Sequence, residues 1–218
     1  MRISQNILSL QAEIKSSGRE VVLVAVSKTK PVNLIEEAIS AGQKVFGENK
    51  IKEGIEKFSD LKTKENLTLH HLGPVQSGTA KKLFGLYDYT HGVSSLSTVE
   101  FLLKESDKHK KLLKYFLQVN LTDEDSKNGF SERDLLPILN KTSLLENEYF
   151  RFEGLMTIGP TSEDPILTRS IFQKLNSIRK SLVPFAKLSM GMSGDYKIAL
   201  EEETDYIRIG SFLFGSRE

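Results

Sequence analysis

Apolar positions in this chain switch repeatedly between two spacings. Ile3, Ile7, Leu10 and Ile14 fall three or four residues apart, the period of one helix face. Residues 21–26 then form a continuous apolar run rich in valine, which suits a strand buried on both faces. Pro31 opens a helix over 31–41, since a proline is well placed in a first helical turn. Gly42 ends that helix, and 44–46 gives a short second strand. The alternation continues with a helix over 49–61 that puts Ile51, Ile55 and Phe58 on one face, a strand over 67–72 and a helix over 76–84. Next come a strand over 87–91, a helix over 96–109, a strand over 115–121, and a helix over 132–145 bent or restarted at Pro137. A strand over 150–158, a helix over 164–182, a strand over 186–190, a helix over 195–202 and a strand over 206–209 complete the series.

Strands that alternate with helices pair in parallel through right-handed crossovers. Eight such units close most economically into a barrel. The expected fold is therefore α/β, a single (β/α)8 TIM-type barrel with an extra N-terminal helix, forming one domain over residues 1–218. An open doubly wound sheet is the competing arrangement. The last strand is followed by too few residues for a full eighth helix, and the N-terminal helix is expected to cover the gap.

Composition narrows the partners. The formal net charge is +1, so no global field draws the chain to nucleic acid or an acidic membrane. A small molecule in a local pocket is expected instead. Cysteine is absent, which removes disulfides, thiolate metal sites and cysteine nucleophiles together. The N-terminal segment has no unbroken apolar core of the signal-peptide kind, and the run 21–26 is too short to cross a bilayer. A cytoplasmic monomer is the expectation.

Two places carry candidate chemistry. Lys28 follows the first strand, at the end where parallel α/β folds gather their active sites. Strand alternation sets Val22, Val24, Val26 and Lys28 on one face. If that face is the barrel interior, Lys28 points into the mouth, where a desolvated amine can attack a carbonyl and form an imine. Position alone fits a solvated loop lysine better, and Lys30 is a rival that abuts Pro31. The second place is the pair of loops after strands seven and eight, with Gly191, Met192, Ser193 and Gly194 in one and Gly210 and Ser211 in the other. Glycines admit close backbone approach and serines add donors, as in barrel phosphate sites. Either loop alone reads better as helix capping; both on adjacent strands favour phosphate.

Other polar clusters carry less. His70 and His71 are adjacent on a strand and face opposite ways, His91 falls at a strand end, and no spacing resembles a zinc site. The basic stretch 108–114 reads as a solvated face, and 123–127 lacks the ligand alternation of a calcium loop.

Ala25-Val26-Ser27-Lys28-Thr29-Lys30-Pro31 resembles the signature of the YggS-like pyridoxal phosphate homeostasis family, which shares its barrel with the alanine racemase N-terminal domain. Further matches follow in order: Gly47-Glu48-Asn49; His70 with Leu72-Gly73-Pro74 and Gln76; Asp125-Ser126-Lys127 with Gly129; Gly154-Leu155-Met156; Gly191-Met192-Ser193; Arg208-Ile209-Gly210; and Phe214-Gly215 with Arg217. The resemblance implies pyridoxal 5′-phosphate (PLP) held as a Schiff base on Lys28. It also implies that Ser193, Gly210 and Ser211 hold the phosphate, that Arg208 faces the pyridine nitrogen and that Asn49 lines the cofactor. The chain departs from the family pattern at Gly78 and Thr79, at Lys50 and Lys52, at Ser94, and at Glu203, where relatives carry a glycine.

The implied role is vitamin B6 homeostasis, with apo PLP enzymes as possible recipients and no catalytic residues assigned. A PLP-dependent amino acid racemase of low activity is the alternative. An arginine at the ring nitrogen weakens the cofactor's electron sink, although alanine racemase tolerates the same arrangement. Two-base racemisation also needs a second acid/base group, which alanine racemase takes from a further domain; none is expected here. A sugar-phosphate lyase using Lys28 fits the residue positions alone but not the motif series.

Overall fold

The structure of the protein is a computed structural model that describes residues 3–122, 124, 127–141, 145–162 and 164–215. Its strands are β1 (Val22–Val26), β2 (Val45–Glu48), β3 (Thr68–His71), β4 (Tyr89–Val93), β5 (Leu113–Gln118), β6 (Phe150–Met156), β7 (Lys187–Ser189) and β8 (Tyr206–Ile209). Each pairs in parallel with the next, and β8 returns to β1 with Val22 opposite Tyr206 and Ala25 opposite Ile209. The sheet is a closed barrel, and the open arrangement is thereby excluded.

Strand alternation sorts the apolar residues into two cores. Val24 packs inside the barrel with Phe116, Met156 and Tyr206, while Val22, Val45 and Leu72 line the same interior. The odd positions of β1, Leu23 and Ala25, point outward into the layer shared with the helices, beside Ile35, Phe46 and Phe58. Each large aliphatic or phenylalanine side chain among them contributes about 1.5–3 kcal/mol when fully buried. Gly154 is demanded by the sheet itself: a Cβ there would stand 1.9 Å from the Lys187 carbonyl oxygen on β7.

The helices are α1 (Ile3–Ser16), α2 (Val32–Ser40), α3 (Ile51–Glu65), α4 (Ser77–Ala80), α5 (Leu83–Leu86), α6 (Leu96–His109), α7 (Glu132–Leu139), α8 (Pro165–Leu182), α9 (Tyr196–Glu201) and α10 (Ser211–Phe214). α1 does cover the seam after β8. Its Asn6 amide donates to the carbonyls of Phe212 and Leu213 in α10, and its Glu13 accepts from the Tyr196 hydroxyl in α9.

Several boundaries differ from the sequence pattern. The expected helix over 76–84 is two short helices, α4 and α5, each containing a glycine that weakens a longer helix. β4 begins two residues later than expected because Tyr87 is fully buried outside the barrel, its hydroxyl on the Ile51 carbonyl at 3.3 Å. The Asp88 carboxylate, just before the strand, accepts from Lys62 and the Leu69 N–H. His91 therefore lies in mid-strand and not at its end. β5 begins at Leu113, so Lys114 belongs to the sheet, pairs with Glu153 at 3.1 Å and is no part of a solvated face. α7 stops at Leu139, two residues after Pro137, and 142–144 lie outside the described residues.

Candidate active site

At the carboxyl ends of the strands lies a cavity of about 390 Å3, lined by Lys28, Asn49, Ser193, Arg208, Gly210 and Ser211. Every residue nominated from the sequence reaches this one space. Lys30 lines it too, so the cavity wall admits either amine. Val26, Leu72, Met156 and Ile158 supply apolar surface between the polar groups.

The turn that carries Lys28 is tightly held. Ser27 is buried, and Thr29 adopts a left-handed conformation at φ 62°, unusual for a β-branched residue. Three side chains from β2 and α3 fasten that turn. The Ser27 hydroxyl donates to Glu48 Oε1 at 2.7 Å, and the Thr29 N–H donates to Glu53 Oε1 at 2.5 Å. Lys57 Nζ then joins the three, donating to the Ser27 carbonyl at 2.8 Å, to Glu53 at 2.6 Å and to Glu48 at 3.2 Å. Burial pushes the Glu48 carboxyl above the usual range, against Ser27 and Lys57. Burial also opposes the Glu53 charge, but Lys57 and the Thr29 N–H outweigh it and hold Glu53 below that range.

Across the cavity, Arg208 is almost completely buried. Its Nη1 donates to Ser189 Oγ at 2.7 Å and its Nη2 to the Thr157 carbonyl at 2.9 Å. Burial lowers its pKa to about 10, opposed by Asp195, so it remains a cation at neutral pH. Thr157 was not nominated from the sequence, and Ser189 was noted only as the end of strand seven ahead of the glycine-serine loop. The available signal was polarity at buried strand-end positions, which points inward only once the register is known.

The third wall joins the last two βα loops. The Phe212 N–H donates to Ser193 Oγ at 3.3 Å, tying the loop after β7 to the start of α10. Gly191 has φ 96°, and a Cβ there would meet Ala199 Cβ at 2.6 Å, so only glycine fits the bend that presents Ser193. Other motif residues serve elsewhere. Lys127 Nζ donates to the Gly159 carbonyl and to Glu124, binding the loops after β5 and β6. His70 faces the barrel interior and His71 the outer layer, where its ring meets Tyr87 edge-on. Asp123, Asp125, Ser126 and Arg217 lie outside the described residues.

Comparison with known proteins places this arrangement. The family model for the alanine racemase N-terminal domain matches residues 1–218. The pyridoxal phosphate homeostasis protein of Vibrio alginolyticus is 35% identical over 230 residues, covering 99% of this chain and 98% of that protein. The chain belongs to the pyridoxal phosphate homeostasis protein family. A more distant bacterial member, from Aquifex aeolicus, is 32% identical over 100% of this chain and 97% of its own length. Among solved structures, PipY of Synechococcus elongatus PCC7942 with PLP bound superposes with a TM-score of 0.88 at 34% identity, over 98% of this chain and all of that one. The alanine racemase of Bartonella henselae shares the barrel at a TM-score of 0.75 and 18% identity, with 58% of its length covered. Glu203, one of the positions where the chain departs from the expected pattern, has a left-handed φ of 65°, a conformation that favours glycine. Its carboxylate meets Arg179 and Lys180, contacts a glycine could not make.

Proposed function

We propose that this chain binds pyridoxal 5′-phosphate as a Schiff base on Lys28 and serves PLP and vitamin B6 homeostasis inside the cell. The observation that carries this reading is the convergence of an amine, a guanidinium and two serine hydroxyls on one partly apolar cavity. The donor set fits the cofactor. Ser193, Ser211 and the backbone at Gly210 suit a phosphate, and a Cβ at Gly210 would crowd the Val26 carbonyl at 3.3 Å. Arg208 suits the ring nitrogen, and Asn49 with the apolar wall suits the ring face. In the covalent step the Lys28 nitrogen attacks the aldehyde carbon, a C=N bond replaces C=O, and the oxygen leaves as water.

Bound there, the cofactor supplies an electron sink in its pyridine ring. Arg208 donates and never accepts, so it favours an unprotonated ring nitrogen and a weak sink. That property suits holding and delivering the cofactor to apo PLP enzymes better than turning over amino acids. The test loads the protein with PLP, adds an apo-enzyme acceptor, and runs a chiral assay with L-alanine and L-serine beside it. Transfer with slow or no turnover is expected. Racemisation at ordinary enzyme rates, abolished by Lys28→Ala, overturns the carrier role.

A further inference from the structure

Behind Arg208 a hydrogen-bonded chain of side chains crosses the barrel interior. Ser189 Oγ lies 2.7 Å from Arg208 Nη1 and 2.9 Å from His91 Nδ1, and His91 Nε2 lies 2.8 Å from His70 Nδ1. The four residues come from β8, β7, β4 and β3 and are all buried. The direction of this chain follows from one fixed end. A guanidinium only donates, so Ser189 Oγ accepts from it; among the described residues His91 Nδ1 is the one acceptor within reach of the serine hydroxyl, so the hydroxyl proton goes there. His91 must then carry its proton on Nε2 and donate to His70 Nδ1, which places the His70 proton on Nε2.

Every link is thus neutral. Protonating His91 would leave the serine hydroxyl without an acceptor and put a second buried cation two hydrogen bonds from Arg208. The surroundings agree. Burial first, and then Lys62 and Lys114, push His70 down to about 3, while burial, His70 and Arg208 push His91 well below its ordinary value. At the far end the His70 ring stacks on Tyr89 with centroids 4.2 Å apart.

We propose that Ser189 and His91 are positioning residues for Arg208, a chain of donors and acceptors without charge that fixes where and in which direction the guanidinium meets the cofactor ring. The proposal rests on the PLP reading above. An uncharged support matters because a carboxylate in the place of Ser189 would neutralise Arg208 and loosen its preference for an acceptor in the cavity. Thr157 contributes only its carbonyl, so Ser189 is the side chain through which sequence controls this contact.

The test is titration of the full-length protein with PLP, following the visible imine absorption band and its position. Ser189→Ala and His91→Leu are expected to weaken retention by about tenfold or more, the effect of losing a hydrogen bond to a buried charged group. Both should move the band in the same direction. His91→Asn, which can still accept near the Nδ1 position, should restore much of the loss. In an Arg208→Met background, Ser189→Ala should cost nothing further. If Ser189→Ala does not fold, Ser189→Cys removes most of the acceptor strength with little change of shape. Retention losses that simply add in the double variant overturn the positioning role, as does a band indifferent to Ser189 and His91. A wild-type protein that develops no band at all overturns the PLP reading itself, and the proposal with it.

Discussion

Two of the three walls of the cavity are held by opposite kinds of chemistry. Behind Lys28 stands an ionic cluster, Glu48, Lys57 and Glu53, at the boundary between sheet and helix layer. Behind Arg208 stands the neutral chain of Ser189, His91 and His70 in the barrel interior. The partners within reach of each cation account for the difference. The Lys28 turn is near the surface, its Thr29 is exposed, and Lys57 can serve three acceptors at once. A left-handed Thr29 costs about 1–3 kcal/mol, and charged hydrogen bonds are strong enough to offset it. In the interior a second charge would cost several kcal/mol to desolvate. There one guanidinium is supported by groups that accept its protons without carrying charge.

Acid should separate the walls most strongly. His70, at about 3, His71, at about 4, and His91 all have folded pKa values below the ordinary 6.5, burial being the first cause in each. The unfolded chain therefore takes up protons first, and the stability these groups contribute is present above pH 6.5 and lost as pH falls below it. Each contributes at most about 1.4 kcal/mol per pH unit. Urea melts between pH 7 and 4.5 should show a steep fall, and His91→Asn should make the slope shallower. A flat profile in that window would mean the histidines are not buried neutral. Glu53 loses its contribution only below the ordinary carboxylate range, and Glu48, shifted upward, acts in the opposite sense.

Lys57→Met attacks the ionic wall alone. It strands Glu48, which is fully buried, and should lower stability by about 3 kcal/mol in denaturant melts. Imine formation at Lys28 should slow as the turn loosens, with the absorbance attributable to Arg208's contact unmoved. A neutral outcome on both counts would show that the cluster does not hold the turn.

The phosphate wall is next. Ser193→Ala with Ser211→Ala should weaken PLP binding by roughly 1.5–3 kcal/mol per lost charge-assisted hydrogen bond, while leaving pyridoxal binding nearly unchanged. Equal losses for the two vitamers would remove phosphate from that wall. Thr29→Gly is the mildest change. Relief of the left-handed backbone and greater freedom in the unfolded chain oppose each other, so a shift within about 1 kcal/mol is expected. A large destabilisation would mean the Thr29 side chain, and not its N–H, holds the turn.

The barrel and the cavity-facing residues were legible because strand ends, parity and glycine-serine loops are local properties of sequence. Lys28 could be placed from the parity of Val22, Val24 and Val26: the first two line the interior and Val26 lines the cavity. The neutral chain was not legible, although His70 and His91 sit at inward positions. Their contact depends on β3–β4 register, with His70 opposite Tyr89, and Ser189 reaches Arg208 only through the β7–β8 offset. Thr29 gave no signal either, since nothing in a Ser-Lys-Thr-Lys run demands a left-handed residue. Lys114 misled because Lys108, Lys110 and Lys111 shortly before it lie at or just past the end of α6, while its own backbone belongs to β5.

The central claim is that Lys28, and not Lys30, carries the cofactor. Borohydride reduction of the PLP-loaded protein, followed by digestion and fragment-ion mass spectrometry across residues 20–44, reads the attachment point directly. The expected result is a pyridoxyl group on Lys28 and none on Lys30. A label on Lys30, or none in this peptide, would contradict it.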